Sequence, residues 1–218
     1  APDYSSAWLL KDVQMGYLQE KFDKKELKIL YTAPWPGQGF YTKFPVNSVS
    51  DFSGKKLRIY STATQQMGSM LGFNATILPF AEIPQAFSTG LIEALFTSPQ
   101  TGIDIQAWDN TKHFTYAGAI FSKNAVVVTK KAFNALSKGD QSNMLAAAKK
   151  AELRGWEMSA ETTKKQIDIL KKNGMSSKNA PDEVISKMKS IGLEMMKNWR
   201  SKASPEANAV LDRYLSMR

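Results

Sequence analysis

Between positions 55 and 99 the chain alternates short apolar runs with helical spacing, and the rest of the sequence is arranged around that stretch. Leu57, Ile59 and Tyr60, set around Arg58, predict a strand that breaks at Ser61-Thr62. Thr62 with Gln65 three residues on fits a capping box, so a helix begins there, with Ala63, Met67, Met70 and Leu71 as its apolar face and Gly72 as its stop. Residues 75–78 predict a second strand, and Ile83, Ala86 and Phe87 a second short helix ended by Gly90. Residues 91–96 predict a third strand that opens into Thr97-Ser98-Pro99, and Phe80 is assigned to the core. Units this short imply parallel pairing through right-handed crossovers, with ligands beyond the carboxyl ends of the strands. Arg58 and Thr97-Ser98 fall near that edge.

On either side the pattern is less regular. Residues 5–19 predict a helix burying Trp8, Leu9, Val13 and Tyr17, and 27–31 a strand. Residues 33–41 read as a loop in which prolines and glycines surround aromatic side chains; Trp35 there either walls a binding cleft or caps the core. A crossing segment follows over 42–51, and 103–111 predicts a short helix containing Trp108. The nearly continuous apolar run over 125–129 predicts a strand buried on both faces. His113, among Asp109, Asn110 and Lys112, reads as a surface or loop residue. Ser137 with Asp140 marks a helix start, and no proline follows until Pro181. A helix over 139–172 would be about 50 Å long at the usual rise per residue, so it bridges two lobes or kinks at Gly155. Helices over 181–199 and 205–214, each with proline near its first turn, complete an outer layer on an α/β core.

Composition narrows the chemistry. A chain of 218 residues holds one large or two modest domains. It has no cysteine, which excludes disulfides, thiolate metal sites and cysteine nucleophiles. The single histidine, His113, rules out multi-histidine metal sites, so no metal or cofactor is expected. A hydrolase would need a Ser-His113-acid arrangement or paired carboxylates, and neither a Gly-x-Ser-x-Gly turn nor a glycine-rich phosphate loop is present. A binding protein rather than an enzyme is expected. No apolar run approaches the roughly 20 residues of a membrane span. No charged-then-apolar leader is present, so a signal peptide has been removed or lies outside this sequence. The formal charge is +9, with lysines from Lys11 to Lys202 interleaved with acids on helices; that pattern reads as solvated faces and not as a nucleic-acid surface.

The one concentrated chemical signal is Arg58. A guanidinium at a strand end forks onto a carboxylate through parallel hydrogen bonds, and the N–H groups of the following helix start favour the same charge. The spacing equally allows a surface arginine paired with Glu82 or Glu93.

Three stretches carry a family resemblance. Residues 47–58, NSVSDFSGKKLR, then Leu78-Pro79-Phe80-Ala81-Glu82-Ile83 with Ser88-Thr89-Gly90, then Ala125-Val126-Val127-Val128 with Lys131-Ala132-Phe133, resemble the extracytoplasmic solute receptors of TRAP transporters, the DctP-like family. Residues 97–102, TSPQTG, and 33–36, APWP, are similar to one branch of it. The resemblance implies an α/β, two-lobed periplasmic-binding-protein-like fold with a long interlobe helix. The expected lobes are 1–44 with 130–155 and 45–129 with 156–218. It implies a periplasmic receptor that closes by a hinge on a small organic acid and delivers it to the permease subunits of a TRAP transporter. In that family the arginine matching Arg58 grips the substrate carboxylate, and residues matching Ser61 and Thr97 face the cleft.

The chain also departs from the family pattern. Where the family commonly has Asp-Gly-Gln-Glu-Asn-Pro this chain has Glu93-Ala94-Leu95-Phe96-Thr97-Ser98, so an amide contact becomes a hydroxyl one. A second arginine found in some members near Phe44 is missing, which favours a monocarboxylate. The family's opening strand and helices precede Ala1, so the chain resembles a receptor lacking its N-terminal portion. On this reading Arg58 supplies charge, Thr97, Ser98, Thr62 and Gln38 supply orienting hydrogen bonds, and Trp35 and Phe121 pack the apolar remainder. Asn124 either reaches the cleft or has a structural role. The alternatives are a ligand-sensing domain of a signalling receptor and a hydrolase.

Overall fold

The structure, a computed structural model, describes residues 3–218. In chain order its elements are α1 (Tyr4–Asp23), β1 (Leu27–Pro34), β2 (Gln38–Thr42), β3 (Lys56–Ile59), α2 (Thr62–Met70), β4 (Asn74–Ile77), α3 (Ile83–Ser88) and β5 (Ala94–Thr97). They continue with α4 (Pro99–Asp104), β6 (His113–Ala119), β7 (Lys123–Thr129), α5 (Lys130–Asn134), α6 (Lys138–Lys172), β8 (Ser176–Asn179), α7 (Asp182–Arg200) and α8 (Pro205–Ser216). The chain divides into two compact units. The first joins the segment up to Pro36 with Ile120–Thr162 and Ala203–Arg218; the second joins Gly37–Ala119 with Thr163–Lys202.

These bounds differ from the expected lobes, which put β2 with the first and both β7 and α8 with the second; β7 stays in the first unit as the partner of β1. Strand β2 is tied into the second unit because it pairs antiparallel with both β5 and β6, and α8 belongs with the first unit because it packs on α1. The expected long helix is α6, which supplies residues to both units.

In the second unit the strands run in the order β4-β3-β5-β2-β6-β8, with β3 parallel to β4 and to β5, as short strand-helix-strand units require. Side-chain alternation builds a core on each face. Phe40 and Phe96 sit opposite each other in the ladder, 4.8 Å between ring centroids, and join Phe52 and Phe73. Their ladder neighbours Tyr41 and Leu95 turn to the other face, where Phe114, Ile83 and Phe87 of α3 and Leu170 of α6 bury them. Two strands escape the periodicity. Strand β2 is buried at every position and lies inside the stretch expected to be a loop; β8, Ser-Ser-Lys-Asn, has no apolar signal and exists through its parallel pairing with β6. His113, expected on the surface or in a loop, is half-buried and opens β6 opposite Thr42 and Ser176. Phe80, expected in the core, is 52% exposed in a 3-10 turn after Pro79.

Gly39 of β2 shows how tightly the central strands approach. A Cβ there would lie 2.5 Å from the Thr115 backbone oxygen and 2.9 Å from the Tyr116 Cα, so β2 and β6 would have to part. Gly39→Ala is expected to lower stability by about 1–3 kcal/mol in urea melts. Gly16→Ala, with open space around it in α1, is expected to raise stability slightly. Equal effects at the two sites would contradict the packing.

The first unit is built on a ribbon of β1 and β7, antiparallel, with a bulge between Ile29 and Tyr31. The apolar run of β7 was expected to be buried on both faces. It is half-buried to exposed along its length, Val127 being 40% exposed, because only β1 pairs with it in the described structure. Under the ribbon, Trp156 of α6 meets Trp8 of α1 edge-on at 5.0 Å, and its Nε1 donates to Thr32 Oγ1 at 3.2 Å.

Candidate ligand-binding site

Strands β3, β4 and β5 are parallel and β2 runs against β5, so the carboxyl ends of the first three and the start of β2 share one edge of the sheet. Arg58, Tyr60, Ser61, Leu78, Thr97 and Gln38 therefore gather at that edge.

Arg58 is buried, with 5% of its surface exposed. Its Nε and Nη2 both donate to the Leu78 carbonyl, at 3.1 and 2.9 Å. Among the described residues it forms no ion pair, so neither Glu82 nor Glu93 neutralises it; Glu93 instead accepts the Lys56 backbone N–H. Burial draws the Arg58 pKa below its ordinary value, yet arginine stays protonated in proteins. A cation is thus held in the interior by one backbone carbonyl, with Nη1 and the second Nη2 hydrogen left over. Carrying such a charge away from water without a counter-ion is costly, and an anion completes the arrangement.

Tyr60, two positions on, falls on the same face by strand alternation, and its ring centre is 5.9 Å from the guanidinium carbon. Its Oη donates to Gln38 Oε1 at 3.0 Å. Tyr60 was not among the expected contacts, although its i, i+2 relation to Arg58 is visible in the sequence. The sequence could not have pointed to Leu78, because the group that matters is a backbone oxygen.

The expected hydroxyl residues divide by what they already do. Ser61, one residue ahead of the expected cap, accepts from Thr64 N with its side chain while its own N–H donates to Thr64 Oγ1. Ser98 caps α4 by accepting from Thr101 N at 3.2 Å. Thr62 is the first residue of α2 and is exposed. Thr97 is buried opposite Gly39, with 6% exposure. Below this turn the buried Tyr41 hydroxyl donates to the Ser98 carbonyl at 3.2 Å; burial and then the charge of Asp104 push its pKa up, so it remains a donor.

The other expected residues lie in the first unit. Trp35 is half-buried, its N–H donating to the Ser122 carbonyl at 2.8 Å. Phe121 packs on Tyr4 at 4.7 Å between ring centroids, and Asn124 is exposed opposite Ala33. An open hollow of about 350 Å³ in this unit is walled by Tyr4, Ser5, Trp8, Trp156 and Ala160, with no charged side chain to hold an anion. Among the described residues no group of His, Cys, Asp and Glu is placed to hold a metal ion, and no helix is long and apolar enough to cross a membrane.

The family model for bacterial extracellular solute-binding proteins, family 7 (DctP), matches residues 5–202. The solved structure of DctP7 from Bordetella pertussis, an extracytoplasmic solute receptor binding pyroglutamic acid, is 36% identical with a TM-score of 0.95, covering 98% of this chain and 71% of that one. A TRAP solute-binding protein from a marine metagenome, specific for pyroglutamate, is 31% identical with a TM-score of 0.92, covering 99% and 71%. A solute-binding protein of Chromohalobacter salexigens is 26% identical over 161 residues, covering 70% of this chain, which spans 48% of that relative's length. The mixed α/β fold is that of the TRAP receptors, and the chain belongs to the DctP family, the bacterial extracellular solute-binding proteins of family 7.

Proposed function

We propose that the protein is a periplasmic receptor that captures a small monocarboxylic acid of the pyroglutamate class and hands it to the permease subunits of a TRAP transporter. The observation that carries the proposal is the buried Arg58, fixed by the Leu78 carbonyl and lacking any protein carboxylate among the described residues. Anchoring through Nε leaves the Nη edge to fork onto a ligand carboxylate. Thr97, and the N–H groups at the start of α2, complete an anion-favouring edge. Phe44 stands where some family members carry a second arginine, which is why one carboxylate is proposed. The Bordetella and marine receptors of similar sequence bind pyroglutamate, which has one carboxylate. The proposed role is binding without chemistry.

The test is native mass spectrometry of the purified protein followed by calorimetry with pyroglutamate and succinate. Pyroglutamate is expected to bind more tightly than the dicarboxylate and to be recovered unchanged. An absence of heat with pyroglutamate, or its conversion to another compound, would overturn the proposal.

A further inference from the structure

We infer that Pro79 is a positioning residue for the anion site: it locks the peptide whose carbonyl holds Arg58, and so aims the remaining Nη edge of the guanidinium at the carboxylate of the ligand. The inference rests on the carboxylate reading of Arg58 and adds to it the part of the chain that sets the direction of the fork.

Arg58 ends in a planar group on a flexible stem, and burial alone does not orient it. The Leu78 carbonyl does: it accepts from Nε and Nη2, at 3.1 and 2.9 Å, so the plane of the guanidinium follows the direction of that carbonyl. A carbonyl points where the backbone around it allows, and Leu78 is held on three sides. Its N–H donates to the Ile59 carbonyl at 3.3 Å, which carries the β3–β4 pairing one residue past the end of β4. Its side chain packs against the core cluster that includes Ile83 and Phe87. The residue after it is Pro79, whose ring clashes with a helical conformation at the preceding position and leaves Leu78 the extended one. Pro79 is fixed in turn, with φ −55° and ψ 153°, and its own carbonyl accepts the Glu82 N–H at 3.2 Å where a 3-10 turn begins. With an ordinary residue at 79, Leu78 gains access to the helical region, where the following peptide turns over and its oxygen leaves Arg58. Pro79 has no need to touch the ligand; it acts through Leu78 and Arg58.

One readout is taken on the ligand-free protein and one on binding. In hydrogen exchange followed by NMR, the Arg58 Nε–H, assigned by its loss in Arg58→Lys, is expected to exchange slowly in the wild type, because it is buried and bonded to Leu78. Pro79→Ala and then Pro79→Gly are expected to speed that exchange, while the backbone amides of the β2–β6 ladder keep their protection; a general loosening of the fold would move both. In calorimetry with pyroglutamate the affinity falls by the fraction of molecules that still hold the carbonyl on Arg58. The expected loss is about two- to fivefold in Pro79→Ala, the scale on which a proline restricts its segment, and several-fold more in Pro79→Gly. Thermal melts confirm the folded state, and Pro79→Ala decides the matter by itself if Pro79→Gly does not fold. Unchanged Nε–H exchange or unchanged affinity in Pro79→Ala overturns the inference while leaving the Arg58 reading intact. A wild-type protein that binds no pyroglutamate overturns the functional reading and with it the ligand half of the inference, and the Nε–H exchange still decides whether Pro79 holds Arg58.

Discussion

Replacing Arg58 with alanine is expected to weaken pyroglutamate binding by about 2–5 kcal/mol, roughly thirty- to several-thousand-fold. The size follows from burial: a carboxylate brought to this edge leaves water, and without the guanidinium it has only the hydroxyl of Thr97 and helix N–H groups to replace its hydration. Arg58→Lys retains the charge but not the planar fork or the two-point anchor on Leu78, so it is expected to recover only part of the loss. Stability should move in the opposite sense to binding. In the ligand-free protein Arg58 is an interior cation without a counter-ion among the described residues, so Arg58→Ala is expected to melt at the same temperature as the wild type or above it. Ligand at a hundred times its Kd should then raise the wild-type stability by about 2.7 kcal/mol and the variant's far less. Calorimetry and thermal melts with and without pyroglutamate read both effects. Unchanged affinity in Arg58→Ala would remove this residue from the site, and a collapse in stability would assign it a structural role instead.

What was legible in the sequence follows from where the physics is local. The β3-α2-β4-α3-β5 stretch could be read because apolar spacing, caps and glycine stops all act within a few residues, and even there the cap proved to be Ser61 with Thr64, one position early. Strand β2 was hidden because Pro-Trp-Pro-Gly reads as a turn while its buried character comes from β5 and β6, distant in sequence. Strand β8 is made wholly by its partner β6, and β7 shows the converse, a buried-looking valine run that keeps one partner. At the candidate site, Arg58 could be singled out in the sequence but its surroundings could not. Whether it met Glu82, Glu93 or neither depended on the Leu78 carbonyl, and backbone oxygens are identical in every sequence. Ser98 and Ser61 have the residue type of a ligand contact, yet each already accepts a hydrogen bond as a helix cap.

The largest expected loss of stability lies in the first unit, at Glu152. Its Oε1 accepts both the backbone N–H and the hydroxyl of Thr32, at 2.9 and 2.7 Å, and its Oε2 lies 3.2 Å from the Lys11 ammonium. Lys11 is 4% exposed, and it also sits over the Trp8 ring at 3.8 Å. One carboxylate therefore ties α6, β1 and α1 together, with Trp156 donating to the same Thr32 hydroxyl. Glu152→Ala would leave a buried ammonium with only the Trp8 ring to face and a buried N–H that has lost its acceptor, and nearby Lys123, whose pKa burial and then the Lys11 charge already lower, adds repulsion. The expected cost is about 3–5 kcal/mol. The pH dependence has a definite sign. Burial pushes the Glu152 pKa up, but hydrogen bonds from Thr32 and the charge of Lys11 together outweigh it and hold the carboxyl below its ordinary value. A group whose folded pKa is depressed contributes stability that is complete above its unfolded pKa of about 4.3 and is lost as pH falls through the folded value. Urea melts followed by tryptophan fluorescence, to which Trp8, Trp35 and Trp156 of the first unit contribute alongside Trp108 and Trp199 of the second, should therefore show the wild type losing stability from about pH 5 downward. Glu152→Gln should start lower and change less over the same range. A loss under about 1 kcal/mol in Glu152→Ala would place this contact among surface ion pairs of little consequence. A wild-type pH slope equal to that of Glu152→Gln would show that Glu152 carries none of the acid sensitivity.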